Sequence, residues 1–337
     1  MPPTDEQIQG LVKKFVALDL RKWDDAEIDQ ALAFLGWRRA QGKVRGYPVS
    51  YCYEDYAAGC HGETHEMYDT GLGPGEVARH GGEYGSEISV GVGKGDDVFG
   101  LVREALVDFL GPPSITRGPG PLLRWRDPLR MLEVDRCGEH STLRVVPTEA
   151  VDLEEWRTSK WADEDTGLEL LGSWQMVGPG AEWFPGGFWS EEDDWGQFEN
   201  RLAVILQSVV EELPLLGVSQ HFTVVVHLPN EVGFVQWTTY DDWTLRIEAS
   251  VPRPSPRPGW AEEMAELGWR PWEEDLSLLL VREFPTVGWQ EAKTAARMLV
   301  GALRSYGGDF EDLWHQVISP DIWLLTIGLP DREGGRF

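Results

Sequence analysis

The chain has 337 residues, 42% of them apolar, and sets 57 acidic against 30 basic side chains for a formal charge of −27. That length is comfortable for two hydrophobic cores, and the apolar content with 17 tryptophans excludes a disordered chain. The negative field argues against nucleic acid and anionic membrane as partners and favours a basic protein partner.

Thr4 to Gln7 reads as a capping box opening a helix to about Leu18. Asp24 to Glu27 repeats that chemistry, with Ile28, Leu32 and Leu35 on one face and Ala31 and Phe34 beside them. This second helix ends in Leu35-Gly36-Trp37-Arg38, a glycine stop with a tryptophan folded back beyond it, and the same phrase returns at Leu267-Gly268-Trp269-Arg270. Strands are expected at 43–53 and 86–93, with a Gly-, His- and acid-rich connection between them that has room for a third. Asp96 and Asp97 are expected to cap a helix carrying Val98, Leu101, Val102, Ala105, Leu106 and Phe109, ended by Gly111-Pro112-Pro113. Strands near 122–126, 129–136 and 141–147 close a first module, 1–150.

Residues 151–194 change character. From 152 to 194 the stretch has twelve acidic side chains and two basic ones, Arg157 and Lys160, yet it includes Trp156, Trp161, Trp174, Trp183 and Trp189. A flexible linker does not carry aromatics this way, so the segment reads as a strap packed on one or both modules. The second module, 195–330, opens with a helix whose stripe runs Trp195, Phe198, Leu202, Ile205, Leu206, Val209 and Leu213 until Pro214 stops it. His221 to Leu228 and 233–240 read as strands. Trp243, Leu245, Ile247, Ala249 and Val251 then alternate with Thr244, Arg246, Glu248 and Ser250, which predicts a strand with one wet face. A proline spacer at 252–258, the second Leu-Gly-Trp helix, a strand at 276–284, a helix at 288–305 and a strand at 321–328 complete the module.

Reactive signatures are weak. Gly91-Val92-Gly93-Lys94-Gly95 lacks the leading glycine and the magnesium-binding hydroxyl of a phosphate loop. His65-Glu66 begins a zinc-protease motif, but Asp69 stands where the second histidine belongs. Cys52, Cys60, His61, Glu63, His65 and His80 lack the short paired spacings of a zinc site. The acidic pairs are too numerous to single out a general acid and base. Neither enzyme activity, metal nor cofactor is therefore expected. The best partner-binding candidate is Trp183-Phe184-Pro185-Gly186-Gly187-Phe188-Trp189, ringed by acids, read either as a clasp for an apolar, basic peptide or as an interdomain staple. Trp237 and Trp243 are further partner-binding candidates. Cys137 with Cys52 and Cys60 forms an odd set suited to a reducing compartment, and the N-terminus lacks a signal-peptide pattern. No apolar run approaches the roughly 20 residues that span a bilayer, and a cytoplasmic protein is expected.

The second module, on its Trp195 helix, three strands, Gly259-Trp260, Leu267-Gly268-Trp269-Arg270-Pro271, Arg282-Glu283-Phe284-Pro285 and the alanine-rich helix from Ala292 to Leu303, resembles the actinobacterial TY-Chap domains. Those domains are similar to type III secretion chaperones and occur around polymorphic toxin and secretion loci. The first module, with Trp23, Leu35-Gly36-Trp37, Phe109-Leu110-Gly111-Pro112 and Trp125, resembles an uncharacterised actinobacterial domain found beside such genes. The resemblance implies an α+β fold of two modules, each an antiparallel sheet packed by helices, and a non-enzymatic protein that holds a secreted or toxic client polypeptide. A toxin-neutralising immunity protein is the nearest rival and a hydrolase or metal enzyme the more distant one. The expected partner is a protein client, with a homodimer open.

Overall fold

The computed structural model describes residues 3–39, 64–79, 86–161, 172–178, 195–218, 221, 223–228, 232–240, 242–253, 257–272, 279–307, 309–318, 322–323 and 329. The chain divides into two compact units, Met1–Ala162 with Val177–Pro185, and Asp163–Met176 with Gly186–Phe337. The expected strand at 43–53, the bulk of the histidine-rich connection and the aromatic segment 183–189 lie outside the described residues.

The first unit begins with α1 (Asp5–Val16), whose Thr4 hydroxyl and Gln7 side chain cap one another's backbone as a complete capping box. Helix α2 (Asp25–Leu35) is capped by Asp24 and buries Ile28, Ala31, Leu32 and Leu35. Phe34, expected beside that face, is 55% exposed. Gly36 takes φ 76°, its N–H bonds the Ala33 carbonyl, and the Trp37 N–H bonds Leu32, a left-handed stop that brings Trp37 into the core. Beyond it, β1 (Arg38–Arg39) pairs with β2 (Thr64–Asp69), followed by β3 (Pro74–Arg79) and β4 (Ser86–Lys94). Two strands thus stand where one was expected.

Helix α3 (Asp96–Leu110) starts at Gly95 without a side-chain cap; Asp96 and Asp97 occupy its first turn, where the helix dipole favours carboxylates. It buries Val98, Phe99, Val102, Ala105 and Leu106, whereas Phe109 is 44% exposed. Strands β5 (Ile115–Gly118), β6 (Leu122–Arg126), β7 (Arg130–Cys137) and β8 (His140–Pro147) follow; β5 was not anticipated. Helix α4 (Thr148–Trp161) then takes up the start of the strap and packs on β7 and β8. The sheet order is β1-β2-β3-β4-β8-β7-β6-β5, with antiparallel pairing throughout.

Strand β9 (Trp174–Val177), of the second unit up to Met176, carries Trp174, fully buried and donating its indole N–H to Ser208 Oγ at 2.7 Å. Ser208 belongs to α5 (Trp195–Leu215), which continues one residue past Pro214 because a proline is tolerated once the helix is about to end. The sheet is built from β10 (Thr223–His227), β11 (Phe234–Thr239), β12 (Leu245–Ser250), β13 (Arg270–Pro271), β14 (Leu279–Phe284) and β15 (Trp314–Ile318), in the order β13-β14-β12-β11-β10-β15. Helix α6 (Trp260–Leu267) stops at Gly268, φ 100°, and α7 (Trp289–Ser305) packs on α5 and across β11 and β12. A short β16 (Ile322–Trp323) pairs with β9 through Ile322–Met176 and Trp323–Gln175. The fold is α+β, two antiparallel sheets packed by helices.

Candidate functional site

Both sheets have an apolar face and a charged or polar face, and the alternation of each strand decides which residues go where. In the first unit Ile88, Leu143, Val134 and Leu123 form apolar rows, each at most 1% exposed. On the opposite side, cross-strand register lines up Ser89, Arg144, Glu133 and Arg124. Glu133 receives Arg124 Nε at 2.5 Å and Arg144 Nε at 2.6 Å; Arg144 also pairs with Asp135 at 2.5 Å. Helix α4 completes the ladder, its Glu155 accepting from Arg117 at 2.7 Å and Arg124 at 2.8 Å, and its Asp152 holding Arg126. Val151 of the same helix packs against Met131 and Val146.

The electrostatics follow from this pairing. Burial pushes the Glu133 carboxyl up, but Arg124 and Arg144 outweigh it and hold it at about 2. Glu155 is lowered for the same reason, by Arg124 and Arg117 against its burial. Asp135 is raised, since burial and Glu133 together exceed the pull of Arg144. Glu87, half-buried on the same face, makes no ion pair among the described residues; burial, with Glu133, Asp135 and Glu76 adding to it, lifts its carboxyl to about 7 against the opposing Arg144. Paired guanidinium and carboxylate groups beneath a helix are a structural closure, not an open reaction site.

The second unit is arranged differently. Val224, Val235, Trp237, Leu245, Ile247 and Ala249 are completely buried, and the apolar stripes of α5 and α7 have this row to pack against. Trp237 is therefore a core residue in this conformation, out of a partner's reach. The opposite face presents Phe234, Gln236, Thr238, His227 and Trp314, all half-buried. His227 stacks on Trp314 with centroids 4.0 Å apart and planes 9° from parallel. No described helix of this unit other than those that pack together as α5, α6 and α7 is available to cover that face.

The wet face expected for β12 is not wet. Arg246, Glu248 and Ser250 are each at most 9% exposed. They hold one another and their neighbours, though Arg246 Nε and Nη2 make no hydrogen bond: Arg246 Nε lies 2.6 Å from Glu248 Oε1 as an ion pair, Arg246 Nη1 donates to Tyr240 Oη at 2.7 Å, Gln236 donates to Glu248, and Ser250 Oγ accepts from the Phe234 N–H at 2.8 Å. The guanidinium also lies 4.3 Å from the centre of the Trp272 ring. The alternation was legible, but pairing within the polar row was not. Trp243 sits at the tip between β11 and β12 with φ 62°, half-buried, beside Tyr240, which is 38% exposed. A non-glycine residue held at positive φ is uncommon and costs strain. Of the other candidates, Trp183, Phe184, Phe188 and Trp189 lie outside the described residues.

Among the described residues no group of three or more His, Cys, Asp or Glu side chains is placed to hold a metal, and no helix is long and apolar enough to cross a membrane. The second sheet thus has helices on one face and half-buried aromatic, hydroxyl and amide groups on the other. Residues 189–322, which contain every strand of that sheet, match the TY-Chap3 family model, described as T3SS (YopN, CesT) and YbjN peptide-binding chaperone 3. This match coincides with the TY-Chap resemblance in the second half of the sequence. No curated protein and no solved structure matches the chain.

Proposed function

We propose that this chain is a non-enzymatic, cytoplasmic, chaperone-like protein of a bacterial secretion or polymorphic toxin system, which holds an extended client polypeptide. The observation that carries this reading is the match of residues 189–322 to a peptide-binding chaperone family. Its geometry supports the reading: the face of β10, β11, β12 and β15 away from α5 and α7 offers aromatic rings and amides, the groups that grip apolar side chains and main-chain amides. Trp243 joins this surface from the strained tip, and the segment 183–189 remains a second candidate contact. The charge of −27 favours a basic client and speeds its capture.

That same charge favours one alternative, an immunity protein whose acidic surface plugs the basic active site of a toxin. Affinity purification of the full chain from its native host, followed by mass spectrometry, tests both. A stoichiometric polypeptide that aggregates when synthesised without this chain supports the chaperone. One that is soluble alone but kills cells unless co-expressed supports immunity. If nothing co-purifies in stoichiometric amount, the binding-protein reading is wrong.

A further inference from the structure

On the face of the second sheet that no described helix covers, the Arg246 guanidinium has two nitrogens, Nε and Nη2, that make no hydrogen bond. Arg246 is more than nine-tenths buried, with Nη1 committed to Tyr240 Oη and Nε 2.6 Å from Glu248 Oε1 in an ion pair whose angle makes no hydrogen bond. Its Nη2 has no hydrogen-bond partner. Buried donors, above all charged ones, are ordinarily satisfied, so an orphan held this firmly points to a partner that arrives from outside.

We propose that Arg246 is an anchor for the bound segment, its Nη2 donating to a main-chain carbonyl oxygen of an extended peptide while Tyr240 and Glu248 fix the plane of the guanidinium. This rests on the peptide-binding reading above and names the contact that reading needs. A neutral carbonyl suits the site better than a carboxylate. Glu248 already lies 2.6 Å from the guanidinium and Glu283 lies 3.9 Å from it, so a third carboxylate would meet like charge. Nη2 is shielded from water in the free chain. The indole of Trp272 rests on the guanidinium just beyond the two-residue strand β13, is half-buried, and is the group that gives way as the carbonyl enters.

The test uses the full-length protein and an immobilised library of short neutral and basic peptides blocked at both ends. The peptides retained by the wild type become the probes. Arg246→Lys keeps the charge but loses the planar fork, and is expected to weaken those peptides about tenfold with little change in thermal unfolding. Tyr240→Phe, at an exposed ring, releases Nη1 and is expected to weaken them about threefold. Replacing single amides by esters, which makes the carbonyl a poorer acceptor, should reveal one position whose loss weakens binding to the wild type but not to Arg246→Lys. Unblocking the terminal carboxylate should not tighten binding. Equal affinity of Arg246→Lys and wild type overturns the anchor while leaving the peptide-binding reading intact; so does tighter binding of the unblocked peptides. If Arg246→Lys fails to fold, an ester scan that finds no sensitive carbonyl on the wild type overturns it. A wild type that retains no peptide removes the reading itself.

Discussion

The polar faces of the two sheets use the same residue types to opposite ends. In the first unit, Arg117, Arg124, Arg144, Glu133 and Glu155 bind one another, and α4 supplies one of the carboxylates that complete the set. In the second unit, Arg246 has a partly matched partner in Glu248, an aromatic neighbour in Trp272 and an orphan Nη2, beside rings left half-buried. The difference teaches that charge on a sheet face is not in itself a sign of function. What matters is whether the chain's own elements saturate it.

The largest expected effect tests that saturation. Glu133 is fully buried between two guanidinium groups, so Glu133→Ala removes the shared counter-charge and should destabilise the first unit by about 3–5 kcal/mol in denaturant unfolding. A loss below 1 kcal/mol, within the range of an exposed ion pair, would mean the ladder is not structural. By contrast, Arg246→Lys should leave unfolding nearly unchanged.

The repeated Leu-Gly-Trp stop allows a second contrast. A Cβ at Gly75 would lie 2.6 Å from Thr70 Cγ2 and 2.8 Å from Cζ3 of the packed Trp37 ring. Gly75→Ala should therefore cost about 1–3 kcal/mol, read as a fall in midpoint. At the other stop, a Cβ at Gly301 meets Cδ1 of Leu267 at 2.9 Å, the movable end of a flexible side chain. Helix propensity favours alanine there by about 1 kcal/mol, so Gly301→Ala should come out near neutral. Equal costs at both sites would show that the stops are not packed differently.

A smaller effect separates Glu87 from the paired carboxylates. Its folded pKa of about 7 lies above the ordinary carboxylate value of 4.5, so the native state favours the protonated form. The stabilisation is present below the unfolded pKa and is lost as pH rises toward and through the folded one. Glu87→Gln should match wild-type stability near pH 4 and exceed it by about 1–2 kcal/mol at pH 8, part of the shift being screened at a half-buried site. Thermal unfolding at the two pH values checks the sign; a variant equally stable or weaker at pH 8 contradicts the unpaired carboxylate.

Local chemistry was the legible part of the sequence. Thr4, Asp24, Gly36 and Gly268 stop or start helices by interactions within a few residues, and all four do so here. Long-range pairing was not legible. Arg124, Glu133 and Arg144 lie on three successive strands with opposite charges at alternating positions, a pattern that register brings together but that is lost among 57 acidic side chains. Phe34 and Phe109 failed for a related reason: periodicity marks a face, while burial needs a neighbour to lie against it. Trp243 is a partner-binding candidate from sequence alone, whereas alternation assigns Arg246 to solvent because its partners Tyr240, Glu248 and Trp272 converge only in the fold.

The central claim is that the second unit receives another chain on the sheet face left free by α5 and α7. Backbone amide exchange of the full-length protein, measured with and without the polypeptide that co-purifies with it, tests this directly. The account predicts added protection across 223–250 and 314–318, together with the Trp272 position, and little change over β6, β7 and β8. Protection confined to the first unit, or spread over neither sheet, would contradict it.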